Sequence, residues 1–278
     1  MALTTAVPAM AARHFSGYHG SKRHGHHLLT SKSQHHGRQA YSPRSSVLPL
    51  ANTVWDNPKM PVAVASAILA AASETGVDPH LLAALAWRES RFNPTARNRL
   101  SSAAGLLQFT SGTWLRAVKE FGAQHCPTTY AAEITKGANG ALFVRNAHDR
   151  AAIMQLRNDP VCSAALAADT IREQRDVVAK RLRRDVSRAD LYLLHVLGPS
   201  GAGRFLDALA EHSTASSRSV VSRHILLQAG LLTREGHSLT IGKTYAAVET
   251  MLADQRKHSE LLLAGPAPAE PLEVSSAP

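Results

Sequence analysis

Carboxylates are missing from the first 55 residues of this 278-residue chain, and aromatic residues make up only 5% of the whole. Scarce aromatics beside abundant Ala and Leu argue against a β-rich core and for a helical one. Two cysteines, Cys126 and Cys162, are too few for a disulfide framework or a structural zinc site. They can pair in an oxidising compartment, and pairing is disfavoured in a reducing one. No run approaches the roughly 20 apolar residues that a membrane span requires. The opening MALTTAVPAMAARHF has no basic n-region, and Pro8 interrupts its apolar run, so it does not read as a standard secretory signal. The protein is expected either to remain inside or to leave by a route that ignores such signals.

What is present is positive charge. The formal net charge is +10, which favours polyanionic partners such as nucleic acid, anionic lipid or a peptide-bearing cell-wall polymer. Solubility accounts for the charge equally well. The basic residues are scattered and are not interleaved with stacking aromatics, which argues against a nucleic-acid protein.

The charge is uneven along the chain. Residues 1–57 hold seven of the 15 histidines together with Lys22, Arg23, Lys32, Arg38 and Arg44, and show no apolar periodicity. That composition predicts a disordered basic, His-rich segment. The histidine spacing matches no defined metal site, and no metal is expected. The end, AGPAPAEPLEVSSAP, predicts a disordered tail, taken as 263–278.

Between these ends the pattern is helical. Residues 61–75 predict a helix opened by Pro61 and closed near Gly76. Asp78-Pro79 starts a second, with Leu81, Leu82, Leu85 and Ala86 at helical spacing and Glu89 on the same side. Asn93-Pro94 breaks it. A third helix begins near Thr110 or Ser111 and carries Trp114, Leu115, Val118 and Phe121. Residues 123–150, with Pro127, Gly137 and Gly140, read as a long irregular insertion, either a functional loop or one holding short helices that the pattern does not place. Asp159-Pro160 opens a long helix to about Arg184, ended by a basic turn that suits the helix dipole. Helices over 188–197 and 201–212 flank Gly198-Pro199. Residues 213–219 read as linker, and a last helix spans about 242–251. The fold class is mainly α, divided as a central domain over 58–212 and a helical extension over 213–262.

Residues 87–114, WRESRFNPTARNRLSSAAGLLQFTSGTW, are the most informative stretch. They set a lone glutamate, Glu89, at the end of an apolar helix among Trp87, Phe92 and Leu106. Poor solvation disfavours the charged form of a carboxyl group, and an acid kept in its neutral form can protonate a leaving group. An ordinary ion pair with Arg88 or Arg91 would be the bland alternative.

Glu89-Ser90-Arg91-Phe92-Asn93-Pro94-x-Ala96, followed by Gly105-Leu106-Leu107-Gln108-Phe109 and Thr113-Trp114, resembles the soluble lytic transglycosylase family. The Glu-Ser pair stands sixteen residues before the Gly of a Gly-Leu-x-Gln segment. Further similarity lies in Leu156-Arg157-Asn158-Asp159-Pro160, in 190–199 and in 201–206, and more weakly in 220–252. The resemblance implies a goose-lysozyme-like helical fold and cleavage of the cell-wall glycan between N-acetylmuramic acid and N-acetylglucosamine. It implies Glu89 as the single acid and base, without cofactor or metal. It implies Gln108 as a hydrogen-bond partner of the sugar, with Ser90, Gly105 and Phe109 shaping the site. A tyrosine of the family pattern is replaced here by His195, with Tyr192 one turn away as a substitute.

Most glycosidases need two carboxyl groups, about 5–5.5 Å or about 6.5–9.5 Å apart. The stretch offers no second acid, and Glu120, Glu133, Asp149 and Asp159 sit in contexts of helix caps or solvated faces. A substrate that supplies its own nucleophile removes the need for one. The expected product then carries a 1,6-anhydro-muramyl end. The rivals are a lysozyme-type hydrolase and a wall-binding protein with a retired site. The lack of a standard signal suggests work for a type III or other trans-envelope secretion system, with its components as partners and the periplasm or exterior as destination.

Overall fold

The computed structural model describes residues 59–126, 130–228 and 236–264. The expectations for residues 1–57 and for 265–278 of the Pro- and Ala-rich end lie outside those residues. Helix α1 (Val62–Thr75) starts after Pro61 and stops at Gly76, whose φ of 68° is the left-handed conformation that ends a helix cheaply. Helix α2 (Pro79–Ser90) is capped by Asp78, which accepts from the His80 N–H. Every residue from Leu81 to Trp87 is buried, so α2 is apolar on all sides and runs through the interior. Helix α3 (Ser111–His125) is capped by Thr110 and buries Trp114, Leu115 and Val118.

Within the insertion expected over 123–150, residues 130–150 hold short helices and a hairpin. Helix α4 (Tyr130–Glu133) leads into strand β1 (Ile134–Lys136), which pairs antiparallel with β2 (Leu142–Val144) in the register Ile134↔Val144. Gly140, at φ 81°, and Asn139, accepting from the Ala141 N–H, make the turn. Ile134 and Val144 are the buried ends of the hairpin. Strands of three residues are too short to show alternation in sequence. Helix α5 (Ala147–Gln155) follows, capped by Asn146.

Helix α6 (Pro160–Leu182) packs along α1 and α3 and is capped by Asp159, as its sequence predicts. Cys162 in its first turn forms a disulfide with Cys126 at the end of α3. Helix α7 (Arg188–Glu211) is two helical segments joined at Gly198, where φ 69° and ψ 168° break the helix before Pro199. Helix α8 (Arg223–Gln228) is short.

Two expectations for the C-terminal part need correction. Residues 213–219 are not a loose linker: Ser217 is buried against Thr244, and the Ile241 and Gly242 N–H groups donate to the Ala215 and Ser213 carbonyls. The last helix, α9 (Ile241–Leu263), is twelve residues longer than the 242–251 reading at its far end. Its buried stripe runs Ile241, Thr244, Val248, Met251, Gln255 and Ser259 at helical spacing, but three of those residues are polar. That polarity hides the stripe from a hydrophobic pattern. Helix α9 packs on α7 and α2 and so closes the interior around the helix that carries Glu89.

Candidate active site

Glu89 lies in the last turn of α2, where the chain turns away through two left-handed residues, Arg91 at φ 56° and Phe92 at φ 61°. A left-handed conformation is costly for a bulky side chain, by roughly 1–2 kcal/mol per residue. Burial of Phe92 and its ring contact with Trp87, at 5.4 Å between centroids, offset that cost. The arginines that could have neutralised Glu89 are engaged elsewhere. Arg91 stacks over the Trp87 ring, while Arg88 lies over the Tyr192 ring and donates to the Met251 sulfur.

Glu89 is instead paired with His195 of α7. Its Oε1 lies 2.8 Å from His195 Nε2, with both side chains almost wholly enclosed, 1% and 4% exposed. Among the described residues, Glu89 Oε2 and His195 Nδ1 are buried and bond to no protein atom. Tyr192, one turn before His195, is also enclosed, and its hydroxyl bonds to no protein atom among the described residues. Burial pushes the Tyr192 phenol above its ordinary value; the nearby Arg88 charge opposes this and Glu89 adds to it.

Trp87, Phe92 and Leu106 are all buried, as the apolar setting expected around the carboxyl group requires. Ser90 donates to the Ala86 carbonyl one turn back, at 3.1 Å. Phe109 is in the core, edge-on to Trp114 with centroids 5.2 Å apart.

The remaining predicted residues organise the loop from 93 to 109. Gln108 adopts φ 50° and folds its amide under the loop, donating to the Ala96 and Gly105 carbonyls at 3.1 and 3.0 Å. Both amide hydrogens are thereby committed, which leaves Oε1 as the remaining hydrogen-bonding atom of the Gln108 side chain. Gly105, at φ 84°, donates its N–H to the Ala96 carbonyl. A Cβ there would overlap the Arg157 carbonyl oxygen, so only glycine fits.

Arg157 is the residue that sequence reasoning left without a role. Its Nη1 donates to the Ser102 and Phe109 carbonyls at 2.6 and 3.1 Å, and its Nε to the Met154 carbonyl. The buried guanidinium thus ties the loop to the turn before α6. Burial pushes its pKa below the ordinary arginine value, and the neighbouring Arg97 and Arg150 charges add to this. The one sequence signal was its place just before the Asp159-Pro160 helix start.

Residues 66–134 match the family model described as the transglycosylase SLT domain. That stretch, about a quarter of the chain, is similar to an SLT domain. The match runs from α1 to the first residue of β1, and so contains Glu89, Gly105, Gln108 and the loop they share. An SLT domain implies a transglycosylase type of activity with peptidoglycan as the polymer bound. Tyr192 and His195 lie beyond the matched residues. Among the described residues, no helix is long and apolar enough to cross a membrane.

Proposed function

We propose that this protein is a lytic transglycosylase that cleaves the β-1,4 bond between N-acetylmuramic acid and N-acetylglucosamine and leaves a 1,6-anhydro-muramyl end. The observation that carries the reading is that Glu89 is the single carboxylate of the 87–114 stretch, which lies inside the residues that match the SLT model. The second carboxylate of a hydrolase is a nucleophile about 5–5.5 Å from the acid in retaining enzymes, or a water-activating base about 6.5–9.5 Å away in inverting ones. A single carboxyl group fits a reaction in which the substrate supplies the nucleophile.

In that reaction the Glu89 carboxyl group protonates the departing glycosidic oxygen, with the muramyl acetamido group assisting at the anomeric carbon. The resulting carboxylate takes the proton of the muramyl C6 hydroxyl. The C6 oxygen then bonds to the anomeric carbon and closes the anhydro ring. No water is consumed, and Glu89 ends in the form in which it began. Gln108, Gly105 and Arg157 hold the loop that meets the glycan, and neither metal nor organic cofactor takes part.

The disulfide between Cys126 and Cys162 supports action outside a reducing cytoplasm. Service to a type III or other trans-envelope secretion system is the setting we propose, and export of a reporter fused to residues 1–57 tests it. The reaction itself is tested by digesting purified peptidoglycan and weighing the released muropeptides. Anhydro ends, one water lighter than reducing ends, are expected. Reducing ends would make the protein a hydrolase, and absence of any released product would leave a wall-binding protein.

A further inference from the structure

We infer that His195 is the positioning residue of Glu89: a neutral imidazole, protonated at Nε2, that donates to Oε1 and so keeps the acid proton of Glu89 on Oε2. The inference rests on the proposed role of Glu89 as the proton donor.

Three arrangements of protons are compatible with an Nε2···Oε1 separation of 2.8 Å. The first is an imidazolium beside a carboxylate. It places a second N–H on Nδ1, which is buried and bonds to no protein atom. It also sets two full charges where both side chains are almost fully enclosed, so both lose their hydration. The second is a neutral imidazole protonated at Nδ1. That again leaves a buried N–H without a protein acceptor, which is unfavourable. It also requires the carboxyl proton to sit on Oε1 and point at the imidazole, away from any substrate. When Glu89 ionises, this tautomer sets a lone pair against a negative oxygen.

The third arrangement leaves no buried N–H unpaired; its one unpaired donor is the O–H on Oε2, the proton that the reaction gives away. Nε2–H donates to Oε1 whether Glu89 is protonated or ionised, and Nδ1 carries only a lone pair. With Oε1 occupied as an acceptor, the carboxyl proton belongs on Oε2, the oxygen that no protein group bonds.

The proton balance of the reaction follows. The Oε2 proton passes to the glycosidic oxygen as its bond to the anomeric carbon breaks. The C6 hydroxyl proton returns to Oε2 as the C6 oxygen bonds to that carbon. His195 keeps its single N–H throughout and takes no proton. Its contribution is to orient the acid and to hold one hydrogen bond to the carboxylate formed halfway.

The test uses the full-length protein labelled with ¹⁵N histidine. Two-bond ¹⁵N–¹H correlation spectra report the tautomer, and the His195 signal is identified by its loss in His195→Gln. A neutral imidazole protonated at Nε2 is expected at the pH of activity. An Nδ1–H pattern or a doubly protonated ring overturns the inference. In kinetics on peptidoglycan, His195→Leu removes the donor and lowers kcat by about 10²-fold with little change in KM. His195→Gln, whose amide N–H reaches the same oxygen, recovers kcat to within about tenfold of the wild type. A glutamine variant as slow as the leucine variant counts against the donor role. Full activity in Glu89→Gln would instead remove the proposed function, while the tautomer is read without reference to activity.

Discussion

His195 Nε2 and Glu89 Oε1 meet at 2.8 Å across 106 residues of sequence, the one from the first half of α7 and the other from the last turn of α2. The contact joins a residue inside the matched SLT stretch to one outside it. The candidate site is therefore not a property of the 87–114 stretch alone. Helix α7 completes it, and α9, packed on both α2 and α7, keeps it enclosed.

Glu89→Gln keeps the shape of the side chain and an acceptor for His195, but cannot give up a proton. Lysis of purified peptidoglycan, followed by turbidity, is expected to fall by about 10²–10⁴-fold, the usual contribution of a general acid. The helical circular-dichroism spectrum is expected to match the wild type. Substantial lysis by the glutamine variant would remove Glu89 from the mechanism.

Much of this scaffold is legible in the sequence because helix starts are local chemistry. Asp78-Pro79, Thr110 and Asp159-Pro160 each satisfy the exposed N–H groups of the first turn with residues two or three positions away. The pairing of Glu89 with His195 is not local. Periodicity places each on a buried face, but nothing in either helix says that those two faces meet. Arg157 is hidden for a different reason, since bonds from a side chain to backbone carbonyls leave no residue pattern. Gln255 and Ser259 conceal the length of α9 because a buried polar residue interrupts the apolar stripe it belongs to.

Two glycines with the same backbone demand differ in their surroundings. Gly76 has φ 68° and nothing within 4 Å of an added Cβ, so Gly76→Ala bears only the left-handed penalty of about 1 kcal/mol. Gly105 has φ 84°, and its Cβ would overlap the Arg157 carbonyl. Gly105→Ala must therefore displace the turn before α6 or the loop that carries Gln108. A loss of about 3 kcal/mol or more in urea unfolding is expected for Gly105→Ala, with loss of lytic activity. Equal stability of the two variants would contradict the close approach at Gly105.

The Cys126–Cys162 bridge ties the end of α3 to the first turn of α6 and spans a sequence separation of 36 residues, including the hairpin. Closing a loop of that size in the unfolded chain corresponds to roughly 3–4 kcal/mol on the chain-entropy account. Beside it, His125 bridges Asp169 and Glu74, at 2.6 and 3.1 Å, and links the same helices without the disulfide. Reduction is thus expected to lower the urea midpoint without unfolding the protein at 25 °C. Denaturant titrations with and without a reductant measure it. An unchanged midpoint would mean that the thiols are not joined in the protein.

Asp190 anchors the start of α7, the helix that presents His195. Its fully buried carboxylate accepts from Arg184 at 2.7 and 3.1 Å, from the Ser187 N–H at 2.8 Å and from the Tyr245 hydroxyl at 3.0 Å. Burial by itself would push its pKa up, but the Arg184 guanidinium and the other donors outweigh it and hold the group below the ordinary aspartate value of 3.8. A depressed pKa means that folding favours the ionised form. The stabilisation is therefore present above the unfolded value and is lost as pH falls through the lower folded value. Asp190→Asn is expected to cost about 2 kcal/mol at neutral pH, where a charged acceptor is exchanged for a neutral one. The gap between wild type and variant is expected to close as pH falls below about 4, because the wild-type carboxylate is then being protonated as well. Urea midpoints for the two proteins from pH 7 down to pH 3 test the sign directly. A gap that widens toward acid would mean that Arg184 and Tyr245 do not hold the carboxylate in its charged form.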